Sequence, residues 1–151
     1  MENVKKINDN LAVATEQLSA QQLQQAAQEG YKSVLNLRSP QEEGFLNDER
    51  EQAQAAGLDY TNIPVQPDNM SEEVADRVLQ KIDELPKPLL AHCKSGLRSG
   101  AFSLMYVATK EGIPADEAMD KGKQMGLDCS QSPDMKEFFQ QYVSQHQPGN
   151  S

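Results

Sequence analysis

Basic residues are scarce in this chain: 14 Lys and Arg face 23 Asp and Glu, a formal net charge of −9 at pH 7. Nucleic-acid binders neutralise phosphates with clustered cations, and the longest basic run here is the pair Lys5-Lys6. No nucleic-acid partner is expected. An apolar run of the ~20 residues that a membrane helix needs is missing too, so no membrane partner is expected either. Met1-Glu2-Asn3-Val4-Lys5-Lys6 has no apolar core of an export signal, and cytoplasm is the expected location. Cysteine is nearly absent. Cys93 and Cys129 lie far apart and are expected to stay thiols in a reducing compartment, a Cys93–Cys129 bridge being the alternative. The two histidines, His92 beside Cys93 and His146 near the end, have no zinc-type spacing, so neither metal nor cofactor is expected. No feature speaks to oligomeric state.

What is present alternates between strand and helix patterns. Ile7, Leu11 and Val13 around Asn8-Asp9-Asn10 predict an opening β-hairpin. Ser19 with Gln22 is a capping-box signature, and Leu23, Ala26 and Ala27 supply the apolar face of the helix that follows, which Gly30 ends. A strand is predicted over Tyr31 to Leu37, stopping at Arg38-Ser39-Pro40. A helix then runs from about Asn47 to Ala56, closed by Gly57, before a strand over Leu58 to Val65. Pro67 keeps Gln66-Pro67-Asp68-Asn69-Met70 out of helix. Ser71 caps a third helix, striped by Val74, Val78, Ile82 and Leu85 and stopped by Pro86 and Pro88. Pro88-Leu89-Leu90-Ala91 reads as a buried strand, and Ser99 to Lys110 as a helix. Pro114 and Pro133, at first-turn positions, open two more helices, the first closed by Gly126. This alternation predicts a single α/β domain with a mainly parallel central sheet flanked by helices, over residues 1–146. A disordered tail is expected over 147–151.

Between the last strand and its helix stands His92-Cys93-Lys94-Ser95-Gly96-Leu97-Arg98-Ser99. Cys93 thus opens a tight strand-to-helix turn, with backbone N–H groups facing inward and a helix N-terminus behind them. Such a turn is an anion cradle. Its positive end, with Arg98, is expected to lower the thiol pKa from about 8.5 toward roughly 4–7 and make Cys93 a nucleophile at neutral pH. Gly96 permits the turn without a Cβ in the cradle, and Lys94 adds positive charge at its rim. The plainer alternative is core filling, the usual fate of a lone Cys. A Cys, a Gly, an Arg and a Ser together at one strand–helix junction favour the thiolate. Cys129 is expected to be a small, buried or half-buried hydrophobe.

The polar residues able to do chemistry fall at the carboxyl ends of strands: Arg38, Asp68 and Cys93. Open α/β sheets bind ligands there, so three loops should converge on one crevice. Two of these residues have a simpler use. Asp68 suits the Pro-Asp-Asn turn itself, and Arg38 can pair with Glu42 or Glu43 at the strand end. Asp59 lies inside a strand pattern and is a poorer acid.

The octet resembles the active-site loop of cysteine-dependent phosphatases of the tyrosine and dual-specificity kind. More closely, the chain resembles the small bacterial phosphatase-like domain also found fused in beta-lactamase-hydrolase-like proteins. The segments that carry the likeness are Leu11-Ala12-Val13-Ala14, Val34-Leu35-Asn36-Leu37-Arg38 with Glu42 or Glu43 beyond, and Leu90 through Ser99. The resemblance spans roughly residues 5 to 130. The resemblance implies a dual-specificity-phosphatase-like fold and a set of roles. Cys93 would attack phosphorus and hold a phosphocysteine, and Arg98 would clamp two phosphoryl oxygens. Backbone N–H groups across Lys94, Ser95, Gly96, Leu97 and Arg98 would bind the equatorial oxygens. Ser99 would hydrogen-bond the Cys93 sulfur, Asp68 would protonate the leaving oxygen, and His92 would orient the loop from behind.

One departure keeps a second chemistry open. Phosphatases of this class place five residues between the cysteine and the arginine; here there are four, Lys94 to Leu97. Cys-x-x-Gly-x-Arg-Ser is also the loop of rhodanese sulfurtransferases, whose shorter cradle holds a persulfide. The leading expectation is phosphoester hydrolysis, then sulfur transfer, then a non-catalytic module that binds anions or phosphoproteins. In each case the partner is a small anionic or phosphorylated molecule. With no Trp, four Tyr and four Phe, the chain shows no evident phosphotyrosine slot.

Overall fold

A computed structural model of the chain describes residues 4–42, 47–65, 70–93, 97–127 and 132–146. In chain order its elements are β1 (Val4–Asn8), β2 (Leu11–Ala14), α1 (Ala20–Gln28), β3 (Ser33–Asn36), α2 (Glu49–Ala55) and β4 (Asp59–Asn62). They continue as α3 (Glu72–Glu84), β5 (Leu89–His92), α4 (Leu97–Glu111), α5 (Ala115–Gln124) and α6 (Pro133–Gln145). The strand order is β1-β2-β5-β3-β4; β1 is antiparallel to β2 and the remaining neighbours are parallel. An α/β domain with a mainly parallel sheet is what the alternation implied.

Local chemistry accounts for the element ends. Asn8 Oδ1 accepts the Asn10 N–H at 2.8 Å, an Asx turn that closes the β1–β2 hairpin. Ser19 and Gln22 form the full capping box of α1: Gln22 N–H donates to Ser19 Oγ (3.2 Å) and Ser19 N–H to Gln22 Oε1 (2.9 Å). Helix α1 then ends at Gly30, whose φ of +100° suits a residue without a Cβ.

Strand alternation divides the core in two. Leu11, Val13, Leu35, Leu89 and Ala91 face a layer that includes α3, α4, α5 and α6, whereas Ala12, Ala14, Val34 and Leu90 face α1 and α2. Helix α4 is buried over most of its length, from Ser99 to Met105 and at Val107 and Ala108, as an element apolar on all sides must be.

Some boundaries differ from expectation, each for a physical reason. Leu37, Ile63 and Val65 lie outside the regular strands, yet the ladder reaches them. Leu37 N–H donates to His92 O (2.9 Å), Ile63 N–H to Asn36 O (3.0 Å) and Val65 N–H to Leu37 O (3.0 Å). Leu85 leaves α3 as an extended C-cap (ψ 146°), because Pro86 disfavours helical backbone at the residue before it, yet like Val74 it still packs half-buried against the core. The buried stripe is Ala75, Val78, Leu79 and Ile82. Pro133 is in the first turn of α6, but Pro114 is the N-cap of α5, with ψ 150°. Helix α4 begins at Leu97, two positions before Ser99. The expected tail, Cys129 and the loop of Asp68 lie outside the described residues, within which no helix is long and apolar enough to cross a membrane.

Helices α4 and α5 meet at Gly122. A Cβ there would collide with the Leu104 side chain and lie 2.9 Å from the Leu127 carbonyl oxygen, which backbone holds in place. Overpacking of this kind costs about 1–3 kcal/mol, against about 1 kcal/mol that alanine gains over glycine in a helix interior. Gly122→Ala is therefore expected to lower the urea midpoint with an unchanged m-value. An unchanged midpoint would show that the helices separate freely.

Candidate active site

The parallel register brings the ends of four strands to one edge: Ala14 and Asn36 both lie opposite His92, and Asn62 opposite Asn36. Cys93 follows β5 directly and is fully buried. Its Sγ accepts the Ser99 N–H, from the first turn of α4, at 3.5 Å, and lies 3.4 Å from Ser99 Oγ. Burial opposes charge on sulfur; helix-terminal N–H groups and a nearby cation favour it. Both favourable features are here.

The cation is Arg98, half-buried on the same turn. Its NH1 donates to Glu42 Oε2 and its NH2 to Glu42 Oε1, each at 2.7 Å, while NH1 also reaches the carbonyls of Val65 (2.9 Å) and Leu37 (3.4 Å). Glu42 thus holds the end-on fork of the guanidinium, leaving the Nε–NH2 edge. The Glu42 hydrogen bond raises the Arg98 pKa against burial, and Cys93, within hydrogen-bonding reach, adds to the rise. Glu42 is held down to about 2, first by its bond to Arg98, with burial opposing and the Ser39 N–H assisting at 2.5 Å.

A second set of buried polar groups lies behind Cys93. His92 Nε2 meets Glu49 Oε2 at 2.6 Å, and neither side chain reaches solvent. The other Glu49 oxygen accepts from Gln17 Nε2. Gln17 Oε1 accepts from Arg38 NH1 at 2.7 Å, and Arg38 Nε lies 3.6 Å from Glu42 Oε1. A continuous line of polar contacts therefore runs from His92, before Cys93, to Arg98, after it. Burial, then the Glu49 charge, pushes the Tyr60 phenol upward; its hydroxyl also accepts from Asn36 Nδ2 at 3.0 Å.

The residues singled out from sequence separate as follows. Cys93, Arg98, Ser99 and His92 come together. Arg38 is buried and engaged with Gln17 and Glu42, the strand-end pairing that was its simpler use. Leu97 lines a cleft of about 400 Å³ with Val65, Met70, Met135, Arg98 and Glu42. Asp68, Lys94, Ser95 and Gly96 lie outside the described residues. Gln17 and Glu49 went unnoticed. The one available signal was that Glu49 shares a helix face with buried Ala53, four residues on.

Residues 3–109 match the family model described as beta-lactamase hydrolase-like protein, phosphatase-like domain. The chain belongs to this family. It is 33% identical over 126 residues to a beta-lactamase hydrolase-like protein of Agrobacterium fabrum, covering 82% of this chain and 29% of that protein. Its namesake in Xylella fastidiosa is 32% identical over 123 residues, covering 80% and 27%. The chain thus spans less than a third of the length of these curated relatives. Among solved structures, TpbA of P. aeruginosa superposes with a TM-score of 0.74 at 21% identity, covering 92% of this chain and 84% of that one. The core catalytic domain of a PP-IP phosphatase from S. cerevisiae gives 0.73 at 15%, covering 93% and 85%. The fold of the phosphatase-like domain is the dual-specificity-phosphatase kind.

Proposed function

We propose that this phosphatase-like domain hydrolyses phosphoesters through a phosphocysteine on Cys93. The observation that carries the reading is a buried thiol facing the first turn of α4, beside a guanidinium that Glu42 grips by one fork only. In the first step the Cys93 thiolate forms an S–P bond as the ester P–O bond breaks, and Asp68 gives its proton to the leaving oxygen. The Nε–NH2 edge of Arg98, which Glu42 does not bridge, takes two phosphoryl oxygens, and N–H groups from Lys94 through Leu97 take the charge that builds on the others. Water then cleaves the S–P bond, releasing phosphate, with the Ser99 hydroxyl stabilising the departing sulfur. His92 orients the loop. The substrate is a small anionic or phosphorylated molecule. TpbA of P. aeruginosa in complex with pTyr and the yeast domain in complex with citrate support that class.

One observation favours a second reading. Four residues, not five, separate Cys93 from Arg98, and a contracted ring of donors suits a single sulfane sulfur better than a tetrahedral phosphoryl group. In sulfur transfer the Cys93 thiolate would attack the outer sulfur of a thiosulfate-like donor, expelling sulfite without a proton.

Asp68→Asn separates the two. In phosphoester hydrolysis the variant should leave p-nitrophenyl phosphate nearly untouched, because that leaving group needs no acid, and slow a tyrosyl or alkyl phosphate by about 100-fold. In sulfur transfer it should be silent. Thiocyanate formation from thiosulfate and cyanide, with no turnover of any phosphate ester, would overturn the first reading.

A further inference from the structure

We propose that Glu49 is a positioning residue for the nucleophile: it holds His92 with its proton on Nε2 and a lone pair on Nδ1. The inference rests on Cys93 being the nucleophile, not on which group Cys93 receives. His92 immediately precedes Cys93, and the pair it makes with Glu49, at 2.6 Å, is closed to solvent. A histidine tautomer is set by the partner of its other nitrogen.

The polarity of the contacts fixes that partner's role. Arg38 offers donors only, so the Gln17 atom that meets its NH1 at 2.7 Å is the amide oxygen. The Gln17 amide nitrogen then faces Glu49 Oε1 and donates to it. The Tyr60 hydroxyl, also bonded to Glu49, brings another donor from β4. Among the described residues, Glu49 thus faces His92 on β5 and Tyr60 on β4; Arg38, after β3, reaches it through Gln17, and Arg50, its neighbour on α2, stacks over the Tyr60 ring at 5.3 Å. A carboxylate surrounded by donors takes the His92 proton as an acceptor, which puts that proton on Nε2. The buried Nδ1, which has no hydrogen-bond partner among the described residues, keeps its lone pair. His92 is joined directly to Cys93, so a ring held in one tautomer fixes the backbone from which the thiol projects.

The amide of Glu49→Gln has the same shape but one donor too many. Its oxygen must still accept from Gln17, so its NH2 turns to His92 and drives the ring proton to Nδ1. Two measurements on the full chain read this out. Long-range ¹H–¹⁵N correlation, with the His146 signals assigned through His146→Gln, should show the His92 proton on Nε2 in the wild type and on Nδ1 in Glu49→Gln. In the same variant kcat should fall on the order of 10–100-fold with KM little changed, and the pKa for Cys93 alkylation by iodoacetamide should rise. Should that variant fail to fold, Glu49→Asp, which retracts the same carboxylate by one methylene, should show the kinetic losses in the same direction and smaller. A wild-type proton on Nδ1 overturns the inference, as does a variant whose proton moves while kcat and alkylation stay unchanged. A wild-type alkylation pKa of about 8.5 would instead refute the nucleophile reading and leave the tautomer standing.

Discussion

Cys93→Ser is expected to lower kcat/KM on any phosphate ester by about 10⁴-fold or more while leaving the fold intact. Serine has nearly the shape of cysteine, and its Oγ can keep the contacts that Ser99 N–H and Ser99 Oγ make with sulfur at 3.5 and 3.4 Å. What it loses is ionisation at neutral pH. A serine hydroxyl, far less acidic than a thiol, offers almost no alkoxide at neutral pH, and nucleophile deletions in covalent enzymes cost on the order of 10⁴–10⁶ in rate. Binding should survive, because the donors remain and the repulsion between a thiolate and a dianionic substrate is gone. The expected pattern is thus a collapse of kcat with phosphate affinity, by calorimetry, equal to or tighter than in the wild type. Activity within tenfold of the wild type would remove Cys93 from the reaction.

The part of this site that was legible is the part made by neighbours in the chain. Cys93, Arg98 and Ser99 lie within one strand–helix junction, where strand end, turn and helix start are all local, so their juxtaposition follows from secondary structure. The hairpin at Asn8-Asp9-Asn10 and the Ser19–Gln22 capping box were legible for the same reason. Glu49 and Gln17 were not. An acid in the first turn of a helix ordinarily compensates the helix dipole at the surface, and only the docking of α2 against the sheet turns this one inward. The partnership of Glu42 and Arg98 spans 56 positions; the sequence pointed to Glu42 as a partner for Arg38, which it also is, but not as the stronger partner of Arg98. Contacts between loops depend on which strand ends lie side by side, and the order β2-β5-β3 that unites them carries no local signal.

Arg98→Ala is expected to cost about 10³-fold in kcat/KM, roughly 4 kcal/mol of transition-state stabilisation, and Arg98→Lys about 100-fold. Lysine retains the charge, but a point ammonium cannot bind Glu42 through one edge and a phosphoryl group through another. The division of the guanidinium gives Glu42→Gln a distinct signature. Its amide oxygen can hold one arm of the fork, but its NH2 faces the other donor, so Arg98 is loosened without being removed. A loss on the order of tenfold, between wild type and Arg98→Lys, is expected. Acid stability should respond as well. The Glu42 carboxyl sits near 2 in the folded chain against an ordinary 4.5, so the folded state binds its proton later than the unfolded state does. That contribution is fully present above about pH 4.5 and is lost as pH falls toward 2. Glu42→Gln abolishes this term, so the gap in stability between wild type and variant should narrow from pH 6 to pH 3 in urea titrations. A gap that stays constant over that range would mean that Glu42 and Arg98 do not act as an ion pair, and the held guanidinium would lose its physical basis.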